Sequence, residues 1–137
     1  MSAFEWNDFL NLSKELSARP DEAATRTAIS RAYYFAFNSA MRRAVANQYR
    51  FTDGVGSSHD QLWALYGRNE DADAKCKRLA ILGQRMKFKR VQADYKLNFP
   101  RANDEVPGVL EDAEECLLIL ASLDPQYPVP LNRTWSF

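Results

Sequence analysis

The sequence predicts a single all-α domain, an up-and-down bundle of about five helices, and three observations carry that expectation. Apolar side chains recur at helical spacing through most of the chain. The segment from Asp21 to Gln48 is rich in alanine and holds no glycine or proline, which suits one long helix. At 137 residues, 46% hydrophobic and 26% charged, the chain is long enough to bury a core without disulfides or metals, and its composition lies far from that of disordered chains.

The first helix covers about Ala3 to Ala18, where Phe4, Phe9, Leu10, Leu12 and Leu16 fall at helical intervals among Glu5, Asp8, Lys14 and Glu15. Pro20 ends it by disfavouring helix at the residue before, and Asp21 and Glu22 suit the positive end of the next helix dipole. That second helix runs to about Gln48. It stops before Phe51 to Ser58, a segment of turn formers with two glycines that reads as a loop.

Ser58 is the expected cap of a short third helix, His59 to about Tyr66, with Leu62, Trp63 and Leu65 facing inward. Asn69, Glu70 and Asp71 read as the cap and first turn of a fourth helix reaching about Tyr95, with Leu79, Leu82, Met86 and Val91 as its seam and Gly83 as a tolerated weak point. Lys96 to Pro107 reads as a loop. Gly108 to Leu123 is the fifth helix, with Val109, Leu110, Ala113, Cys116, Leu117 and Leu120 inward. The bundle thus spans residues 1–123. Residues 124–137 form a proline-rich tail that cannot be helical and ends in Trp135 and Phe137. It reads either as a strap over the bundle or as a peptide offered to a partner.

Charge is unevenly spread despite a net charge of zero. Lys75 to Lys96 holds eight basic residues against Asp94 alone, and Asp104 to Glu115 holds six acids and no base. Cys76 and Cys116 each lie in a helical pattern and read as small apolar residues. With those two and a single histidine, His59, no zinc spacing can be assembled, so no metal or cofactor is expected. The apolar runs are too short to span a membrane and the first residues lack a basic leader or apolar signal core. The expected location is the cytoplasm.

Chemistry concentrates in the middle of the second helix. Arg31 and Asn38 are seven residues apart, about two turns, with Tyr34 between them, so the three make one polar stripe on an otherwise apolar helix. The run Ser30-Arg31-Ala32-Tyr33-Tyr34 followed by Ala36-Phe37 resembles the signature of one branch of HEPN domains. The run Arg90-Val91-Gln92-Ala93-Asp94-Tyr95 is similar to a second motif of that branch.

This resemblance, which covers about Phe4 to Leu123, implies a small helical bundle that cuts RNA without metal, at a cleft formed where two domains meet. It implies a homodimer, or a subunit bound to an antitoxin or a larger defence complex, in a toxin–antitoxin or antiviral system. Arg31 matches the arginine that would stabilise charge on the phosphate. Asn38 stands where the branch carries a histidine, and an amide binds oxygen but moves no proton near neutral pH. Three readings follow: a domain kept for binding, a site that uses Tyr34 or His59 instead, or a disabling substitution at this position. The basic face of the fourth helix, with Arg85, Lys89 and Arg90, is the expected RNA-binding surface.

Overall fold

A computed structural model describes residues 5–52, 56–99 and 102–130, and in them the chain forms five helices: α1 (Asn7–Ser17), α2 (Glu22–Ala46), α3 (Ser58–Arg68), α4 (Lys75–Tyr95) and α5 (Ala102–Ser122). The central element is α2, which touches each of the others. Ala28, Ile29, Ala32, Tyr33, Phe35, Ala36 and Ala40 are all fully buried, so the middle of α2 buries a wide apolar face and its alanines let neighbouring backbones come close. The neighbours α1–α2, α3–α4 and α4–α5 pack together, while α4 and α5 also lie against α2. No helix among the described residues is long and apolar enough to cross a membrane.

The ends of α2 follow local rules. Asp21, extended at φ −75° and ψ 145°, accepts the Ala24 N–H at 3.1 Å. At the other end Gln48 adopts φ 75°, Tyr49 N–H reaches back to the Ala44 carbonyl at 2.9 Å, and Gln48 N–H bonds the Val45 carbonyl at 3.0 Å. This is a Schellman closure with glutamine where glycine is usual. Gln48→Gly should therefore stabilise the fold by about 1 kcal/mol, the cost of a left-handed non-glycine residue. Thermal unfolding checks this, and an unchanged or lowered midpoint would show that the turn stores no strain.

Several boundaries differ from the sequence reading. The cap of α3 is Ser57, which accepts the Asp60 N–H at 3.1 Å, rather than Ser58. Asn69 does not open α4. It is buried at the end of α3, where its amide bonds the Leu65 carbonyl at 2.9 Å and both main-chain groups of Val129. Asp71 caps α4 instead, accepting the N–H groups of Lys75 at 2.9 Å and Cys76 at 2.8 Å. Burial opposes ionisation of that carboxyl, yet the two N–H bonds prevail and hold it below the usual carboxylate range.

The fifth helix begins at Ala102, so Pro107 lies inside it. A proline in the second turn removes a single ladder bond, and the buried Ala102 and Val106 fasten this early part of the helix to the core. Gly83 is not a weak point but a contact: a Cβ placed there would lie 2.5 Å from the Trp63 ring. Leu12, one of the apolar residues at helical spacing in the first helix, is exposed. Cys76 and Cys116 are free and buried, their thiols pushed up to about 12 by burial, which leaves them unreactive.

Residues 124–130 lie over the bundle as a strap. Arg43 of α2 donates to the carbonyls of Leu120 at 2.9 Å, Leu123 at 2.8 Å, Asp124 at 2.6 Å and Tyr127 at 2.5 Å, and the Asn47 amide bonds those of Pro125 at 3.1 Å and Pro128 at 3.2 Å. Phe4, Trp135 and Phe137 lie outside the described residues.

A candidate anion-binding site around Tyr34

The middle of α2 meets the last turns of α4. Ser30 Oγ donates to Asp94 Oδ2 at 3.4 Å and Arg90 Nη2 donates to Tyr34 Oη at 2.5 Å. The two sequence runs singled out above, Ser30 to Tyr34 and Arg90 to Tyr95, are therefore one place in space. Arg90 Nε also lies 3.0 Å from Asp94 Oδ2, but its N–H is not aimed at that oxygen, so the contact is an ion pair without a hydrogen bond. The Arg90 guanidinium stands 5.0 Å from the Tyr34 ring centre and 5.5 Å from that of Tyr95.

Arg31 differs from the other arginines of α2. Arg26 pairs with Glu22 and donates to the carbonyls of Ala93, Lys96 and Leu97, Arg42 pairs with Glu5, and Arg43 holds the strap. Arg31 is half-buried, 5.0 Å from the Phe9 ring centre and 5.7 Å from that of Tyr34, and among the described residues it makes no hydrogen bond or ion pair. Aromatic faces attract a guanidinium but satisfy none of its five N–H donors. A half-buried cation whose donors meet no protein acceptor among the described residues is a candidate for binding an anion.

Tyr34 and Asn38 complete the stripe, both half-buried, with Asn38 Nδ2 donating to the Tyr34 carbonyl at 2.9 Å. That bond uses one amide hydrogen and leaves Oδ1 and the second hydrogen for a ligand.

His59, from the first turn of α3, joins the same cluster. Its ring stacks on Phe37 at 4.0 Å and meets the Tyr34 ring edge-on at 6.3 Å. Its Nδ1 is 2.6 Å from Tyr33 Oη, which also accepts the Trp63 Nε1–H at 3.1 Å. Burial first, then the positive charges of Arg90 and Lys87, hold its pKa below the ordinary 6.5, against the opposing pull of Asp60. Burial likewise raises the Tyr33 hydroxyl well above its usual value.

Apart from Arg90, the cations of α4 are paired with acids. Arg85 makes two bonds of 2.8 Å to Asp112, Arg78 bonds Glu115 at 2.6 and 2.9 Å, Lys89 pairs with Glu105 at 2.7 Å and Lys87 with Asp60 at 2.6 Å. Of the three expected RNA-binding cations, Arg90 is brought to the site, whereas Arg85 and Lys89 face α5. Three of these pairs join the basic segment to the acidic one across the α4–α5 seam, while Lys87 reaches α3; all are partly exposed and individually worth little.

No family model matches the chain, and no curated protein or solved structure is significantly similar to it.

Proposed function

We propose that the chain is a HEPN-like RNA-binding domain in which Arg31 receives a phosphate of single-stranded RNA, with Tyr34 and Arg90 beside it. The observation that carries this reading is the half-buried Arg31 guanidinium, free of any acid in a cluster that also holds a second arginine, an imidazole and a phenol. Such a group satisfies its donors best by binding a doubly acceptor oxyanion such as a phosphodiester. Metal-independent cleavage needs a group to move the 2′-hydroxyl proton, and Asn38 moves none. We therefore read the domain as binding RNA within a toxin–antitoxin or defence system, with a second copy or a partner protein completing the cleft.

A second reading, an interaction subunit that binds a protein partner in such a complex, has its own observation. Ile81, Phe88 and Tyr95 are 55%, 63% and 71% exposed and recur every seventh residue along α4, one apolar stripe on its outer side.

One panel separates the two. Arg31→Ala should weaken binding of a mixed-sequence RNA oligonucleotide about tenfold or more, as loss of a charge-assisted pair does. With Arg85 and Lys89 already paired, the salt dependence should be shallow, the logarithmic slope near −0.7 for each phosphate neutralised. Asn38→His, which restores a proton carrier, should bring cleavage without added metal. Equal binding by wild type and Arg31→Ala would remove the RNA reading and leave the interaction subunit.

A further inference from the structure

Tyr33 Oη is completely buried and has two partners, Trp63 Nε1 at 3.1 Å and His59 Nδ1 at 2.6 Å. The indole nitrogen only donates. It fills one lone pair of the hydroxyl, whose own hydrogen then has one acceptor within reach among the described residues, His59 Nδ1. The opposite arrangement, with Nδ1–H donating to Tyr33, would strand a buried hydroxyl hydrogen, which costs free energy. The chain Trp63→Tyr33→His59 thus fixes the imidazole in the tautomer whose proton sits on Nε2. That nitrogen meets no hydrogen-bond partner among the described residues.

We propose that His59 is a ligand-binding residue of the Tyr34 site, a neutral donor that offers Nε2–H to a phosphate or ribose oxygen of RNA, and that it does not act as an acid or base. This rests on the reading of the site as an RNA phosphate site. As a base, Nε2 would need a free lone pair, which the locked tautomer denies it. As an acid, it would have to draw a replacement proton from Tyr33 onto Nδ1 and leave a buried tyrosinate. Protonation of the ring would instead set Nδ1–H against the Tyr33 hydroxyl hydrogen. The groups facing the ring are Tyr33, Tyr34 and Phe37 from α2, Arg90 and Lys87 from α4 and Asp60 from α3. The two cations act in the same direction as the lock, and Asp60 is itself paired with Lys87. The site so assembled recognises RNA rather than cutting it.

His59 is the only histidine in the chain, so a proton–nitrogen correlation spectrum of nitrogen-labelled protein reads its tautomer directly. At neutral pH, Nδ1 should be unprotonated and Nε2 protonated. Tyr33→Phe should shift the ring toward a tautomer mixture and raise its titration midpoint. His59→Gln, which keeps an N–H donor, should bind the RNA oligonucleotide within about threefold of wild type, and His59→Leu should bind about tenfold more weakly, the loss of one hydrogen bond to a charged group. An Nδ1-protonated ring in wild type, or equal affinity for the leucine variant where Arg31→Ala binds weakly, overturns the inference and leaves the phosphate reading standing. Full affinity in Arg31→Ala overturns the reading beneath it as well.

Discussion

Gly83→Ala should destabilise the protein by about 3 kcal/mol, the upper end of the range for an overpacked core. The added Cβ would stand 2.5 Å from Trp63 Cδ2 and Cε2, well inside contact distance. Neither side can retreat. The indole is 1% exposed and fastened through Nε1 to Tyr33, while the α4 backbone is anchored by the fully buried Leu79, Leu82 and Met86 on the same helix. A chain of this length should lose about 10 °C in melting temperature for such a cost. Displacing Trp63 also removes the donor that orients Tyr33, so the His59 tautomer should blur in the same variant. Chemical denaturation measures the first effect, and a loss smaller than about 1 kcal/mol would mean that α3 can slide off α4 freely.

Gly83 marks the boundary of what periodicity can convey. The helical intervals of Leu79, Leu82 and Met86 were enough to place α4, because the apolar stripe of a helix is a property of one segment. That a glycine in the stripe serves a close approach depends on which ring sits opposite, and Trp63 is twenty residues away in sequence. Pro107 shows the same limit in reverse. Local rules read it as a break, and the burial of Ala102 and Val106 overrode them. Asn69 had the right chemistry for a cap and was drawn instead to the carbonyl of Leu65 and the backbone of Val129.

The candidate site was legible in part for a related reason. Arg31, Tyr34 and Asn38 share α2, so their common stripe follows from spacing alone. Ser30 and Asp94, or Tyr34 and Arg90, meet only once α4 is docked. His59 had no local signal beyond being the one histidine, and its place depends on how α3 sits against Phe37 and Tyr33. The charge asymmetry between the fourth and fifth helices was visible as two separate segments. Its use was not, although seven bases and six acids in adjacent helices are themselves a signal of mutual pairing, now seen as Arg78–Glu115, Arg85–Asp112 and Lys89–Glu105.

Arg43→Met should cost about 3 kcal/mol, because it removes the donor to four carbonyls, of which, among the described residues, Asp124's alone also accepts a backbone N–H, while keeping an apolar stem of similar length. The reason lies in the termini of the helices. Neither α4 nor α5 carries a basic residue in its last turn, where carbonyls lack intrahelical partners and the dipole favours a cation. The central helix supplies an arginine to each end from the side, and Lys75 of α4 adds a bond to the Ser122 carbonyl at 3.2 Å. Arg26 donates to Ala93, Lys96 and Leu97 at the end of α4, and Arg43 to Leu120, Leu123, Asp124 and Tyr127 at the end of α5. Arg43→Lys should recover only part of the loss, since a compact ammonium with three donors cannot span the carbonyls that a planar guanidinium reaches. Amide hydrogen exchange in residues 119–130 should quicken in both variants, more in the methionine one. Arg31→Met is the matched comparison: with two aromatic faces but no hydrogen bond or ion pair among the described residues, that arginine should be removable at a cost of about 1 kcal/mol. If Arg31→Met proved as damaging to stability as Arg43→Met, its guanidinium would be a structural clamp like its neighbours, and its freedom to take a phosphate would be lost with that result.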